Sequence, residues 1–484
     1  MKKYLHATII AIISCLLMIP GASAQTTKSS YFMTSSHARH YLNPALHPEN
    51  GYIGIPGVNN VFADARTNTF TLENFIFLYR EDPSAPVKPM TFMHKDVPAE
   101  KFLANISRHN YVSVNADNDV FSAGFRAGRG YWTIHAGLRT RVDVDVPRGL
   151  FELLKKGFVD QDASSTRYDL SGLSASAKAY MEMGAGYSRS FLGKRLVVGL
   201  RPKVLLGVGD AKLNVEQLEV DAGTNYWNLK SRATLQVSAP GITPEYDNDF
   251  ENLSGFEFEW KGIPGYGAGV DVGASFHLFD FGLLGKLTVS AAVNNIGFMT
   301  WSAKNSYQAR TNETTVTITP NDYSVHQNDY TSSIEDVLDD VVDDLERGLD
   351  FFNDPANSGK KRSSRLDMDF NIGVEYAVFR NKLSLGALYS NTRGEDYSMG
   401  QCTFSLNYRP CSWFAASASY ALFEKSSNSV GLAIHLAPRV GPTLFLASDC
   451  AITKINPQGI PLRGYNMNAQ VGLAFNIGGG DRER

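Results

Sequence analysis

Histidine and charge are where this sequence could do chemistry. His37, His40 and His47 crowd into SSHARHYLNPALHPENGYIGIPG, residues 35–57. The i, i+3 spacing of His37 and His40 would bring two imidazoles to one side of a turn, which a metal site could use. Arg39 between them is a poor neighbour for a cation, and no cysteine lies near. The residues favour a shaped or surface piece of chain over a metal site. No metal and no cofactor are expected.

Three further histidines, His135, His277 and His435, fall on separate segments, and no His-x-Ser pair occurs. A hydrolase needs a nucleophile with a base beside it, so no enzyme is expected. A phosphate loop of the form G-x-x-x-x-G-K-[ST] is absent. In Ser333–Phe352, SIEDVLDDVVDDLERGLDFF, the apolar positions Ile334, Val337, Leu338, Val341, Val342, Leu345, Leu349 and Phe352 follow helical spacing and eight acids cover the other side. That segment reads as a helix with a solvated acidic face, ahead of a docking helix or cation collector. Its spacing is not that of an EF-hand, so no calcium is assigned.

The remaining charges sort by parity. In Tyr131–Val146 the even positions Trp132, Ile134, Ala136, Leu138, Val142, Val144 and Val146 are apolar but for Thr140, while the odd ones include His135, Arg139, Arg141, Asp143 and Asp145. In Arg195–Val208 the even face is apolar and Arg195, Arg201 and Lys203 share the other. Leu366, Met368, Phe370, Ile372, Val374 and Tyr376 oppose Asp367, Asp369, Asn371 and Glu375, and Tyr465–Phe475 alternates likewise. Period 2 is the mark of strands apolar on one face only.

A soluble sandwich could show a few such strands. Long strands whose polar face is glycine-rich and carries both signs of charge fit better as a membrane barrel, apolar outside and polar inside. The connections agree. Short links near 127–131, 189–195, 278–285, 378–382, 408–412 and 437–441 alternate with longer ones near 146–174, 209–264, 303–365, 391–397, 423–428 and 452–464. Periplasmic turns and extracellular loops alternate in this way. The spacing predicts 13 strands after the first short link is counted, and Asn68–Tyr79 as a fourteenth at the start, with Tyr52–Phe62 as its rival. Both chain ends would then be periplasmic.

On this reading Arg139, Arg141, Lys178, Arg195, Arg201 and Lys203 line the lumen with Asp143, Asp145, Glu182, Asp271, Asp367, Asp369, Glu375 and Asp449. Their near balance speaks against a simple ion-selective pore and for pairing with one another. Pro202 removes a ladder hydrogen bond from a long strand and marks a bulge or strand kink.

The ends of the chain carry further information. Met1-Lys2-Lys3, an apolar run from Ala7 to Ile19 and Ala22-Ser23-Ala24 make a secretory signal peptide, with cleavage expected after Ala24. Of four cysteines, Cys15 lies in that leader. Cys402, Cys411 and Cys450 remain as an odd set that reads as free thiols. A net charge of −3 gives no basic footprint for nucleic acid.

A barrel of this size encloses room that side chains alone need not fill, and the segment ahead of it could plug it. Asn43 before Pro44 leaves the helical region, its side chain can cap its own turn, and Ala45 follows. Arg39 with LNPAL, Leu42–Leu46, resembles the Asn-Pro-Ala element in the hatch of the FadL-like long-chain fatty-acid transporter family. The opening is also similar to that of PorV- and PorP-like proteins of gliding and type IX secretion. The layout, with the phrases PRGLFELLKKG (147–157) and NNIGFMTW (294–301), looks closest to an uncharacterised outer-membrane family found beside them in gut bacteria.

The expectation is an all-β fold, a transmembrane antiparallel β-barrel of about 14 strands. A signal peptide at 1–24 and an N-terminal hatch at 25–67 precede the barrel at 68–484. Long loops fall near 80–117, 146–174, 209–264 and 303–365. Arg39, Asn43, Pro44 and Ala45 form the hatch motif. The location is the outer membrane of a Gram-negative bacterium, in contact with its lipid. The resemblance implies a hatch-gated passive channel for a hydrophobic or amphipathic small-molecule solute; in that family a kinked strand beside the hatch makes a lateral exit, whereas at Pro202 a plain bulge is favoured over such an exit. The alternative is a non-transporting scaffold: an accessory of a secretion or gliding partner, or a surface-contact protein. No nucleic-acid partner is expected.

Overall fold

The structure is a computed structural model. It describes residues 27–79, 88–94, 96–156, 166–223, 226–246, 253–259, 261–281, 285–311, 315–318, 351–354, 358–394, 398–424, 428–450 and 466–478. The expected signal peptide and most of the acidic segment 333–352 lie outside these residues. Only its last two positions are described, and there Phe351–Asn353 is a strand rather than the expected end of a helix.

Among the described residues, fourteen strands close an antiparallel barrel. They are β1 (Gly51–Gly54 and Val61–Thr67), β2 (His109–Ala127), β3 (Gly130–Pro147), β4 (Ser174–Phe191), β5 (Leu196–Ala222), β6 (Gly265–Asp280) and β7 (Lys286–Trp301). The second half is β8 (Met368–Val378), β9 (Leu383–Arg393), β10 (Ser398–Cys411), β11 (Phe414–Phe423), β12 (Ser429–Leu436), β13 (Val440–Ser448) and β14 (Asn466–Gly478). Each strand pairs with its neighbour in sequence. β1 closes the circle by pairing with β14 on one side and β2 on the other, as in Phe62↔Gln470 and Phe62↔Asp117. Closure leaves no sheet edge to satisfy.

The alternation behaves as expected. Trp132, Ile134, Leu200, Val204, Ile372 and Val374 are exposed on the outer face while Thr133, His135, Arg139, Arg201 and Lys203 are buried inside. Leu385 and Leu432 expose 60% and 61% of their surface, a belt that only lipid would cover. Each β3-type alternation thus places one face in the bilayer and one in the lumen.

Three expectations need correction. The first strand is 51–67, the rival reading, so the segment ahead of the barrel ends near residue 50 rather than 67. Tyr52, Phe62 and Asp64 point inward, and the long β14 needs a partner over that whole stretch. Residues beyond 67 leave the barrel because their aromatics have other partners. Phe70, Phe75 and Phe77 join Phe92, Phe102 and Phe151 in an apolar cluster with the helices Ala99–Leu103 and Arg148–Lys156. Second, the loop expected at 80–117 already becomes strand at His109. Third, Leu366 is buried inside against Leu205, Met299 and Trp301 instead of standing on the outer face, because the strand is interrupted before Met368.

Two bulges shift parity within strands. Asp119↔Gly137 is followed by Phe121↔Ala136, so the inward face of β2 passes from odd positions to even. In β7, Val270↔Ile296 and Val272↔Val293 leave Asn294 and Asn295 both directed inward, with Asn295 at φ +60°. Beyond the barrel, β5 runs on to Ala222 and pairs with Trp227–Ser238, forming a folded body with its own core of Leu153, Leu170, Leu218 and Leu229.

Candidate functional site

Residues 27–50 run inside the barrel, held mostly by side chains of its wall. At one end Gln470 accepts from the Thr27 amide and hydroxyl at 2.9 and 2.7 Å, and the Asp449 carboxylate accepts from the amides of Lys28 and Ser29 at 2.5 and 2.9 Å. A 3-10 turn spans His37–Tyr41, its first turn capped by Ser36, whose hydroxyl accepts from the Ala38 amide at 3.2 Å. The carbonyls that follow are then claimed by wall donors. Arg201 donates to His40 at 3.1 Å, Asn294 to Leu42 at 2.9 Å and Asn371 to Leu42 at 3.0 Å.

Asn43 makes the bend its sequence implies: its side-chain oxygen accepts from the Ala45 amide at 2.9 Å. Its amide group donates to the Tyr31 hydroxyl at 3.1 Å and to the carbonyls of Ala274 and Ala291 at 3.3 Å. Two wall glycines allow this approach. A Cβ on Gly273 would lie 2.1 Å from Asn43 Oδ1, and one on Gly199 would lie 2.3 Å from the Pro44 carbonyl. At the other end Arg409 pairs with Glu49 and donates to Thr34 at 2.8 Å.

The wall charges form one chain around the inside of β2 to β6. Asp119 meets Arg139 at 2.9 Å, Arg139 meets Glu182 at 3.2 Å, Glu182 meets Lys203 at 3.1 Å, and Lys203 meets Asp271 at 3.0 Å. Asp271 ends the chain on Arg201 at 2.5 Å, and Arg201 holds the inner segment. A buried charge with one partner removed is costly, so such a chain is held as a unit. The bulge at Asn294–Asn295 serves both structures. Asn294 grips the inner segment, while the Asn295 amide donates to Asp271 at 2.6 Å and its side chain to Asp369 at 3.2 Å.

A cavity of about 80 Å³ remains beside the segment, lined by Arg139, Arg141, Lys178, Glu182, Arg201, Lys203, Asp367 and Asp369 among the predicted residues. Lys28, Tyr41, Leu42, Asp117, Tyr180 and Leu366 also line it. Pro44 and Asn43 approach the wall at Gly199 and Gly273, nearer the short turns, while Lys178 and Asp369 stand further along their strands toward the long connections. Residues 40–46 therefore sit toward the short turns and the cavity lies on their long-loop side, where Lys28 and Ser29 meet Asp449 at the far end of β13.

Other predicted residues sit elsewhere. Asp143 pairs with Arg141 at 2.6 Å, and Asp145 meets His109 at 3.4 Å near the long-loop end of the strand. Glu375 accepts from Ser384 at 2.7 Å, apart from the cavity. Arg195 is a correction: it lies exposed in the short turn before β5, where the chain has already left the lumen. Pro202 turns its ring outward. Pairing with β6 continues through Val270↔Pro202, whereas pairing with β4 skips from Gly184↔Lys203 to Tyr187↔Leu200, as a residue without N–H dictates.

The histidines are engaged with protein atoms. His37 Nε2 lies 3.2 Å from the Asn59 carbonyl and His40 Nδ1 lies 2.6 Å from the His37 carbonyl. His47 stacks on Tyr131 with ring centroids 4.8 Å apart. Burial, with Arg201 beside it, holds the His40 imidazole well below its usual value. His135 bonds Glu182 at 2.9 Å and His435 bonds Ser35 at 2.9 Å. Among the described residues no group of three His, Cys, Asp or Glu side chains is arranged to hold a metal. Cys402, Cys411 and Cys450 are free thiols; Cys402 stands opposite Leu422 and Cys411 opposite Phe414.

Sequence reasoning missed Asp117, Asp119, Asn294, Asn295 and Lys28. The run Asn115, Asp117, Asp119 carries the same parity signal as Arg139 and Arg141 and could have been read. The Asn294–Asn295 pair could not, because a bulge breaks the period that identifies inward residues.

No curated protein matches the chain in sequence. Among solved structures, the toluene transporter TbuX of Ralstonia pickettii is 8% identical, with 91% of this chain and 94% of that one covered and a TM-score of 0.39. The toluene transporter TodX of Pseudomonas putida is 8% identical, covering 94% and 93%, with a TM-score of 0.35. A porin of Rhodopseudomonas blastica is 8% identical, covering 87% and 100%, with a TM-score of 0.20. One family description spans most of the chain: residues 44–449 match the family of unknown function DUF5723, and the chain belongs to that family.

Proposed function

We propose that this outer-membrane β-barrel is a passive channel whose N-terminal segment, residues 27–50, acts as a movable hatch. The observation that carries the reading is how that segment is held. Its carbonyls at His40, Tyr41 and Leu42 are bound by side-chain donors of three wall strands, and no sheet ladder joins it to the barrel. Water can take over such bonds, each of which contributes only about 1 kcal/mol net. The hatch can therefore shift while the barrel stays intact. The lining of the cavity beside it is mixed, charged side chains together with Leu42, Leu366 and Tyr180, the last two packed on the Trp301 cluster, and a shift of the hatch would widen this space toward the size an amphipathic solute needs.

Reconstitution into planar bilayers tests this. The intact protein should conduct rarely and briefly, and deletion of residues 25–50 should give a large, steady conductance. A deletion protein that folds and inserts yet stays silent would overturn the reading. Native mass spectrometry of the purified protein should also reveal a co-purifying amphiphile that the deletion loses.

A second reading is favoured by the body built above the barrel. The extended β5, its partner 227–238 and two apolar clusters form a folded surface that a pore alone does not require. This suits a non-transporting scaffold, an accessory of a secretion or gliding machinery or a surface-contact protein. A retained protein partner with a silent deletion variant would select it.

A further inference from the structure

Arg141 on β3 and Lys178 on β4 are direct cross-strand partners, and both line the cavity beside the N-terminal segment. Like charges set opposite each other are destabilising unless something neutralises them. Arg141 has carboxylates in reach, Asp143 at 2.6 Å and Asp367 at 3.5 Å. Lys178 has none among the described residues. Its neighbour on the other side is Asp210, and that carboxylate is taken by Arg362. A second ammonium, Lys28 on the N-terminal segment, lines the same cavity; it feels the charges of Asp369 and Asp449 but makes no side-chain hydrogen bond or ion pair among the described residues.

Lys28, Arg139, Arg141, Lys178, Arg201 and Lys203 face this space against four carboxylates. Lys28 and Lys178 are the two of these cations that make no ion pair or side-chain hydrogen bond among the described residues. The remaining arginines and Lys203 are committed to the ion-pair chain or to Asp143 and Asp367. A volume of about 80 Å³ admits a small anion and little more.

We propose that this cavity is a binding site for a small oxyanion, a phosphate or carboxylate group, with Lys178 as its principal contact and Lys28 as a second source of positive charge. An oxyanion brings acceptor oxygens to two ammonium groups that have no hydrogen-bond partner of their own. The group could arrive as a free anion or as the head of a lipid. The site does not depend on the barrel conducting.

Thermal unfolding of the detergent-purified full chain tests it, with inorganic phosphate titrated against chloride at constant ionic strength. Phosphate should raise the melting temperature saturably where chloride does not. Lys178→Gln should weaken the apparent phosphate affinity about tenfold, the loss of one charge-assisted bond. Lys178→Arg should keep it, and Lys261→Gln, a change at an exposed loop lysine, should leave it unaltered. If Lys178→Gln does not fold, Lys28→Gln serves in its place and should weaken binding severalfold. Decyl phosphate in the same assay separates the sources: tighter binding than inorganic phosphate indicates a lipid head, weaker binding a free anion. Equal responses to phosphate and chloride, or wild-type phosphate affinity in both glutamine variants, would overturn the proposal. Saturable phosphate binding in a protein that never conducts would uphold this site while removing the channel reading.

Discussion

The Arg201 guanidinium donates to the His40 carbonyl at 3.1 Å while its Nε holds Asp271 at 2.6 Å. One side chain thus ties the N-terminal segment to the end of the wall's ion-pair chain. Arg201→Leu would free both, leaving Asp271 with Lys203 alone. Breaking a buried pair from one side costs about 3–5 kcal/mol. Chemical unfolding in micelles should show a loss of that order, and limited proteolysis should cut the N-terminal segment before the barrel. Unchanged stability would mean that the segment is held elsewhere.

Gly199→Ala and Gly273→Ala should displace the segment while leaving the wall's ladder intact. The new methyl groups would meet the Pro44 carbonyl at 2.3 Å and Asn43 Oδ1 at 2.1 Å. Overpacking of this kind costs about 1–3 kcal/mol. Hydrogen exchange should rise over residues 40–46 and stay level in β5 and β6. Gly209→Ala, where the nearest atom is 3.8 Å away, is the neutral control.

Acid should loosen the far end of the segment. Burial pushes the Glu49 carboxyl up, but Arg409 and Thr34 outweigh it and leave the group below its usual 4.5. A carboxyl whose value is depressed on folding contributes stability above its unfolded value and loses it as pH falls through the folded one. Protease sensitivity near residues 47–50 should therefore rise below about pH 4.5. Glu49→Gln should already be sensitive at neutral pH and show little further change. The pair is partly exposed, so high salt should weaken the effect.

Cys450 should resist alkylation. Burial, and then the neighbouring Asp449 charge, push its thiol up to about 12, so almost no thiolate exists near neutrality. Iodoacetamide at pH 8 should leave it largely unmodified in the folded protein and label it fully after denaturation. Asp449→Asn should speed the reaction, since it removes one of the causes.

Most of the barrel was legible because a membrane strand writes its environment residue by residue. Lipid selects Trp132, Ile134 and Leu200 on one parity, and the lumen admits Arg139, Arg201 and Lys203 on the other. Short and long connections then give strand number and orientation. The Asn43 turn was legible too, because its hydrogen bond to Ala45 is local.

What only the tertiary structure decided depends on partners distant in sequence. The first strand is 51–67 because β14 and β2 must both be paired there, a demand no local pattern records. Asn294 and Asn295 face inward together because a bulge in β7 resets its register against β6. The order Asp119, Arg139, Glu182, Lys203, Asp271, Arg201 arises from the stagger of five strands, each contributing one or two links. Composition gave both signs of charge in near balance. The register of the closed sheet decided which wall cations found carboxylates and left Lys178, set between Arg141 and Asp210, without an ion pair among the described residues.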